Sequence, residues 1–353
     1  MNSWRQVDAA SPGGRLLRAA WQPVCRSMDL PPGGVASLTV LGERWTLLRG
    51  ASGAPALLGP ACPHRGTALS AGHTEGDSLV CMHHGWRFGA DGACVHRPDG
   101  GPPIGVRAAP ARDHLGLVFA WLGEGAPPAL PRWPAFEVPG TLRVLPPEAW
   151  PCPWFLRLEN TCDLAHLPVA HARSGVGSVL DATQPPEVEE LPDGLRIRGA
   201  AAVPLWVRVL LPNALCFPTP VSESAGWRDH LVWRVPVDAD RCVSFAVTHV
   251  PDSVPDHAAH ALGPRALHGA GRVAQLGEQV LAGATTLSAL GGEPSLTEIE
   301  DYVALCGVLR DGQGEPLAGE HLGPADEPVR ALRRRWSAAL RGEARMWTGP
   351  AAG

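Results

Sequence analysis

The sequence predicts an α+β protein in two domains, a small antiparallel β-domain followed by an antiparallel sheet covered by helices. Three observations carry this reading. Residues 18–122 alternate short apolar runs with Gly and Pro turns. A Pro-rich connector, Gly123–Pro134 (GEGAPPALPRWP), follows. Beyond it, longer strand-like and helix-like stretches are interspersed. The expected domains are therefore 18–122 and 123–353, with residues 1–17 packing on the second.

Ala36–Val40, Trp45–Leu48 and Leu115–Trp121 are the clearest strands of the first domain. In the second, Trp154–His166 reads as a helix, followed by a loop to about residue 187. Strands are expected at Leu195–Arg198, Leu205–Leu211, His230–Val235 and Cys242–His249, and helices at Arg265–Leu281, Thr297–Leu309 and Pro328–Arg345.

A chain of 353 residues is long enough for two cores. Its net charge of −5 gives no electrostatic reason for a nucleic-acid partner. All 30 cationic residues are arginine, and Ala, Gly and Pro abound. That pattern fits a GC-rich coding sequence and weakens Ala as a helix signal. No apolar run reaches the length of about 18 residues that marks a membrane span, and MNSWRQVDAASPGGRLL lacks the apolar core of a signal peptide. Nine cysteines, an odd number in a long chain, point to reduced thiols and a cytoplasmic location.

Residues 62–66 read Cys-Pro-His-Arg-Gly, and residues 81–86 read Cys-Met-His-His-Gly-Trp. Each stretch offers one Cys and one His and then a Gly that permits a tight turn. Two thiolates can hold one iron of a [2Fe–2S] cluster while two neutral imidazoles hold the other, which raises the reduction potential above that of an all-Cys cluster. The expected ligands are Cys62, His64, Cys81 and His84. Zinc also accepts two Cys and two His, but its motifs more often space the cysteines together and the histidines together.

Residues 159–171 read Glu-Asn-Thr-Cys-Asp-Leu-Ala-His-Leu-Pro-Val-Ala-His. Asn160, Asp163 and His166 are three apart and would share one helix face. Pro168 is expected to bend the helix and turn His171 back toward His166. Two imidazoles and one carboxylate make the facial triad of non-haem Fe(II) oxygenases, with coordination positions open for O₂. The carboxylate is expected from the segment LTEIEDYVAL, where spacing leaves Asp301 and Glu298 both open. Asp163 is placed to accept the second ring N–H of a ligand histidine.

Together CPHRG…CMHHGW, NTCDLAHLPVAH and the acidic Glu300-Asp301 helix resemble the Rieske non-haem iron ring-hydroxylating oxygenases, most closely the short single-subunit monooxygenase and demethylase branch. The resemblance implies a Rieske domain joined to a helix-grip, START-like catalytic domain in a head-to-tail homotrimer. It implies a mononuclear Fe(II) on His166, His171 and Asp301. Asp163 would bridge His84 of one subunit to His166 of the next. Electrons would come from NAD(P)H through a separate reductase, with a ferredoxin in some systems, since no dinucleotide-binding G-x-G-x-x-G follows a strand here. The implied activity is O₂-dependent monooxygenation, by hydroxylation or oxidative demethylation, of an apolar or aromatic small molecule. A cis-dihydroxylating dioxygenase and an electron carrier with a vestigial iron site are the alternatives. Thr67 and His83 stand where respiratory Rieske proteins carry a disulfide, which turns the resemblance away from membrane-bound carriers.

Cys94, Cys152, Cys162, Cys216, Cys242 and Cys306 lack ligand spacing and read as buried small hydrophobes. His257 and His260 read as loop residues.

Overall fold

Short apolar runs between turn residues become the strands of the first unit, which comprises Met1–Pro131 and Val235–Ala239. The structure is a computed structural model that describes residues 3–175, 184–201, 203, 205–255, 257, 271–308 and 320–347. Helix α1 (Pro12–Arg18) opens the unit. Its strands are β1 (Gln22–Arg26), β2 (Val35–Val40), β3 (Glu43–Arg49), β4 (Pro55–Leu58), β5 (His73–Glu75), β6 (Ser78–Val80), β7 (Arg87–Phe88), β8 (Cys94–His96), β9 (Ala108–Ala109), β10 (Ala111–His114) and β11 (Leu117–Ala120). They form three antiparallel sheets in the orders β1-β11-β10, β2-β3-β4-β9 and β5-β6-β7-β8. The strand expected from Leu115 starts at Leu117, because Leu115 and Gly116 take positive φ (51° and 73°) and make the turn.

Residues 3–17, the described part of the N-terminal segment, belong to this unit, whereas the expectation placed residues 1–17 with the second domain. Ser11 caps α1 by accepting from the Gly14 N–H at 3.0 Å. The buried Arg18 guanidinium then donates to the carbonyls of Val7 (2.5 Å) and Leu41 (2.8 Å) and pairs with Glu43. The break between the units, at 131/132, falls inside the Pro-rich connector.

The second unit holds one eight-stranded antiparallel sheet. Its strands are β12 (Gly140–Val144), β13 (Glu148–Trp150), β14 (Glu187–Leu191), β15 (Gly194–Arg198), β16 (Trp206–Leu210), β17 (Ala214–Ser222), β18 (Gly226–Pro236) and β19 (Cys242–Pro251). The order is β12-β19-β18-β17-β16-β15-β14, with β13 also paired to β19. Its helices are α2 (Trp154–Cys162), α3 (Leu167–Ala170), α4 (Arg272–Leu281), α5 (Leu296–Cys306) and α6 (Glu327–Leu340). Helices α2 and α6 pack on each other and on β14 to β16. Residues 265–270 and 309, expected at helix ends, lie outside the described residues.

Aromatic rings hold this packing. Trp154 is fully buried, with its centroid 5.3 Å from those of Phe155 and Trp336. Trp154→Ala should cost about 3–5 kcal/mol through lost burial and a residual cavity. Urea unfolding followed by far-UV circular dichroism checks this, and an unchanged midpoint would contradict it.

Candidate metal centres

In the first unit, the two Cys/His stretches fold as near copies of one turn. The Cys62 N–H donates to Thr67 O at 2.8 Å, and the Gly66 N–H to Cys62 O at 2.9 Å. The Cys81 N–H donates to Trp86 O at 2.8 Å, and the Gly85 N–H to Cys81 O at 3.0 Å. Gly66 and Gly85 close these turns with φ of 74° and 70°, which a Cβ would strain. Both cysteines are 2% exposed and belong to an apolar cluster with Leu69, Leu79, Trp86 and Phe88. His64 and His84 are exposed at the turn tips, their centroids 4.5 Å apart. Trp86 stacks flat on His64, which fixes that ring.

This arrangement fits a cluster with one buried, sulfur-ligated iron and one outer, imidazole-ligated iron. Burial raises the Cys62 thiol, and the main-chain N–H groups of His64 and Arg65 directed at its sulfur favour the thiolate. His83 is engaged elsewhere, its Nδ1 lying 3.0 Å from Thr67 Oγ1.

In the second unit, His166, His171 and Asp301 converge, their donor atoms within 4.8 Å of one another. The two Nε2 atoms face each other at 3.1 Å, and Asp301 Oδ1 lies 3.5 Å from His166 Nε2 and 3.2 Å from His171 Nε2. Asp301 Oδ1 is buried with no donor aligned on it. A buried oxygen facing two ring nitrogens, with no hydrogen bond to satisfy it, is what a shared cation would neutralise. Burial disfavours the Asp301 carboxylate, but the two imidazoles beside it prevail and hold the group well below the usual carboxylate range. Glu298 is not in this group.

The route by which the chain brings His171 to His166 differs from expectation. Helix α2 ends at Cys162, and the backbone turns at Asp163 (ψ 87°), not at Pro168. A short 3₁₀ turn, Leu164–His166, leads into α3, where Pro168 occupies the first turn and needs no N–H partner. The helix expected over Trp154–His166 is thus two pieces. Asn160 sits half-buried in the last turn of the first piece.

Both imidazoles are oriented from behind. The His166 Nδ1–H donates to the main-chain carbonyl of Asp163, so this carbonyl, not the Asp163 carboxylate, sets the tautomer. The carboxylate instead accepts from the Ala165 N–H at 3.0 Å, and its nearer oxygen to the ring is 3.8 Å from Nδ1. Burial raises the Asp163 carboxyl. The His171 Nδ1–H points at Glu300 Oε2, 3.0 Å away, and both side chains are 1% exposed. Glu300 was legible only as the neighbour of Asp301; its role as a support for His171 needed the helix face. His257 is tied to Thr141 Oγ1 at 2.8 Å, and His260 lies outside the described residues.

Residues 20–110 match the Rieske [2Fe-2S] domain model. The chain is 30% identical over 268 residues to the 5,5'-dehydrodivanillate O-demethylase oxygenase subunit of Sphingobium sp. (strain NBRC 103272 / SYK-6), covering 70% of the chain and 62% of that protein. It is 40% identical over 139 residues to phenoxybenzoate dioxygenase subunit alpha of Ectopseudomonas oleovorans, covering 37% of the chain and 34% of that protein. The chain thus spans less than two-thirds of the length of either relative. In fold it is similar to Pseudomonas putida CBB5 NdmA, with a TM-score of 0.67, 18% identity, and coverage of 96% of this chain and 93% of that one. With its Rieske [2Fe–2S] domain, its two-histidine, one-carboxylate group and these relatives, the chain belongs to the Rieske non-haem iron oxygenase family.

Proposed function

We propose that the chain is the oxygenase component of a multicomponent monooxygenase, acting by hydroxylation or oxidative demethylation on an apolar or aromatic small molecule. The observation that carries this reading is the convergence of His166, His171 and Asp301 around an unsatisfied buried oxygen, in a chain that also has a Rieske domain. When bound, the cluster passes single electrons and the mononuclear iron activates O₂. Cys62, His64, Cys81 and His84 hold the cluster, and His166, His171 and Asp301 hold the iron. Asp163 bridges His84 of one subunit to His166 of the next in a homotrimer, and the electrons come from NAD(P)H through a separate reductase, with or without a ferredoxin. The assignment of Asn160 to the site rests on its spacing from Asp163.

Dihydroxylation is the second reading, because one relative is named a dioxygenase. Single turnover of the chemically reduced protein under ¹⁸O₂, with a panel of aromatic ethers and acids, separates the two. One labelled atom per product supports monooxygenation and two support dihydroxylation. Oxidation of the cluster without any product would sink both and leave an electron carrier.

Glu300→Gln keeps a neutral acceptor for His171 but removes the carboxylate. Iron affinity at the mononuclear site should fall by about 10–100-fold. Competition with a chelator measures this, and unaltered retention would show that His171 needs no carboxylate behind it.

A further inference from the structure

The second unit buries two guanidinium groups close to one another, and among the described residues only one has a carboxylate within ion-pair distance. Arg157, on α2, is 5% exposed. Its guanidinium sits 3.5 Å from the centroid of the Trp150 ring, donates to Ser244 Oγ and stands 3.8 Å from Glu148 Oε2. Arg234, on β18, donates to the same Ser244 Oγ at 2.7 Å and to Thr161 Oγ1 at 3.2 Å. Both of those acceptors are neutral hydroxyls. Arg234 Nε is enclosed with no acceptor, and among the described residues no carboxylate lies at ion-pair distance from this side chain.

An uncompensated buried cation is strongly unfavourable. Here burial first, and the Arg157 charge second, push the Arg234 guanidinium down to about 9, although the Glu148 and Asp301 carboxylates act in the opposite direction from a distance. A guanidinium has five donors in a planar fork, matched in shape to the two oxygens of a carboxylate. The hydroxyls beside it are committed in a way that leaves one donor over. Thr161 spends its hydrogen on the Arg157 carbonyl at 3.1 Å. Ser244 accepts from both guanidiniums, so its own O–H hydrogen remains to be donated. Arg234 as a whole is half-buried, although its Nε is enclosed. Thr161 lies two residues before Asp163, which places the pair on the same helix end that leads to His166.

We propose that Arg234, backed by Arg157 and Ser244, is a binding site for a carboxylate group of the substrate. A planar oxyanion there would take parallel bonds from the Arg234 fork and one from Ser244, and would neutralise the second of the two buried charges. The word substrate rests on the oxygenase reading above; the carboxylate site stands on the geometry alone.

The test is isothermal titration calorimetry and thermal unfolding of the full-length, anaerobically prepared protein with benzoate, its neutral analogue benzamide, and acetate. The expected result is saturable binding of benzoate and a raised melting temperature, with benzamide at least about thirtyfold weaker and Arg234→Met weakening benzoate by about the same factor. The ligand-free Arg234→Met protein should melt no lower than the wild type, since an uncompensated charge has been removed. No saturable binding of either acid overturns the proposal. So does a lower melting point of ligand-free Arg234→Met with unchanged benzoate binding, which would make Arg234 a structural strut. Acetate binding as tightly as benzoate would mean an adventitious anion only and overturn the substrate assignment. Arg234-dependent benzoate binding in a protein that contains no mononuclear iron would sink the oxygenase reading while upholding the carboxylate site.

Discussion

Replacing Asp301 with alanine is expected to leave about two irons per chain where the wild type holds about three, and to reduce oxygenation to background. The reason is geometric. Among the described residues, Asp301 supplies the one carboxylate oxygen that faces both ring nitrogens. Glu300 cannot take over, because its Oε2 is turned to His171 Nδ1 on the far side of the ring. Two imidazoles alone are a weak site for Fe(II), which relies on a hard oxygen donor beside them. The Rieske signal in the reduced state should be unchanged, since Cys62 and Cys81 are anchored in a separate apolar cluster. Iron analysis and EPR of the variant check this. Full iron occupancy would mean that another side chain is the third ligand.

Asp163→Asn is expected to keep both metal centres and still lower turnover by about 10–100-fold. Asparagine can cap the 3₁₀ turn, because its side-chain oxygen can accept from the Ala165 N–H as the aspartate does. The His166 ring is held by the main-chain carbonyl of residue 163, which the substitution leaves in place. What is lost is the negative charge 3.8 Å from His166 Nδ1, the group assigned to the passage of electrons. Rapid-mixing measurement of cluster oxidation alongside turnover separates transfer from binding. Wild-type rates for both would remove Asp163 from the mechanism.

The legible parts of this chain were those whose chemistry is local. Cys62, His64, Cys81 and His84 sit in two short turns, and their types, order and flanking glycines are all visible in sequence. The choice between Asp301 and Glu298 was not, because both lie on one helix and only tertiary packing decides which faces the histidines. Pro168 was misread for a physical reason: proline breaks a helix interior but suits a first turn, and the chain restarts its helix just before it. The Asp163 carbonyl as the partner of His166 had no sequence signal, since every residue has a carbonyl. Strand β17 has no clear bounds in sequence because Pro218 and Pro220 lie within it, and β18 reads short because its first residues are Gly, Trp, Arg and Asp. The burial of Arg157 and Arg234 was equally hidden, as arginine is ordinarily a surface residue.

The most direct measurement is iron and acid-labile sulfide per chain on anaerobically prepared protein, with an EPR spectrum of the reduced form. About three irons, about two sulfides and a Rieske-type signal are expected from one cluster and one mononuclear site. Zinc without sulfide, or two irons with no third under any iron-replete preparation, would contradict the two-centre oxygenase.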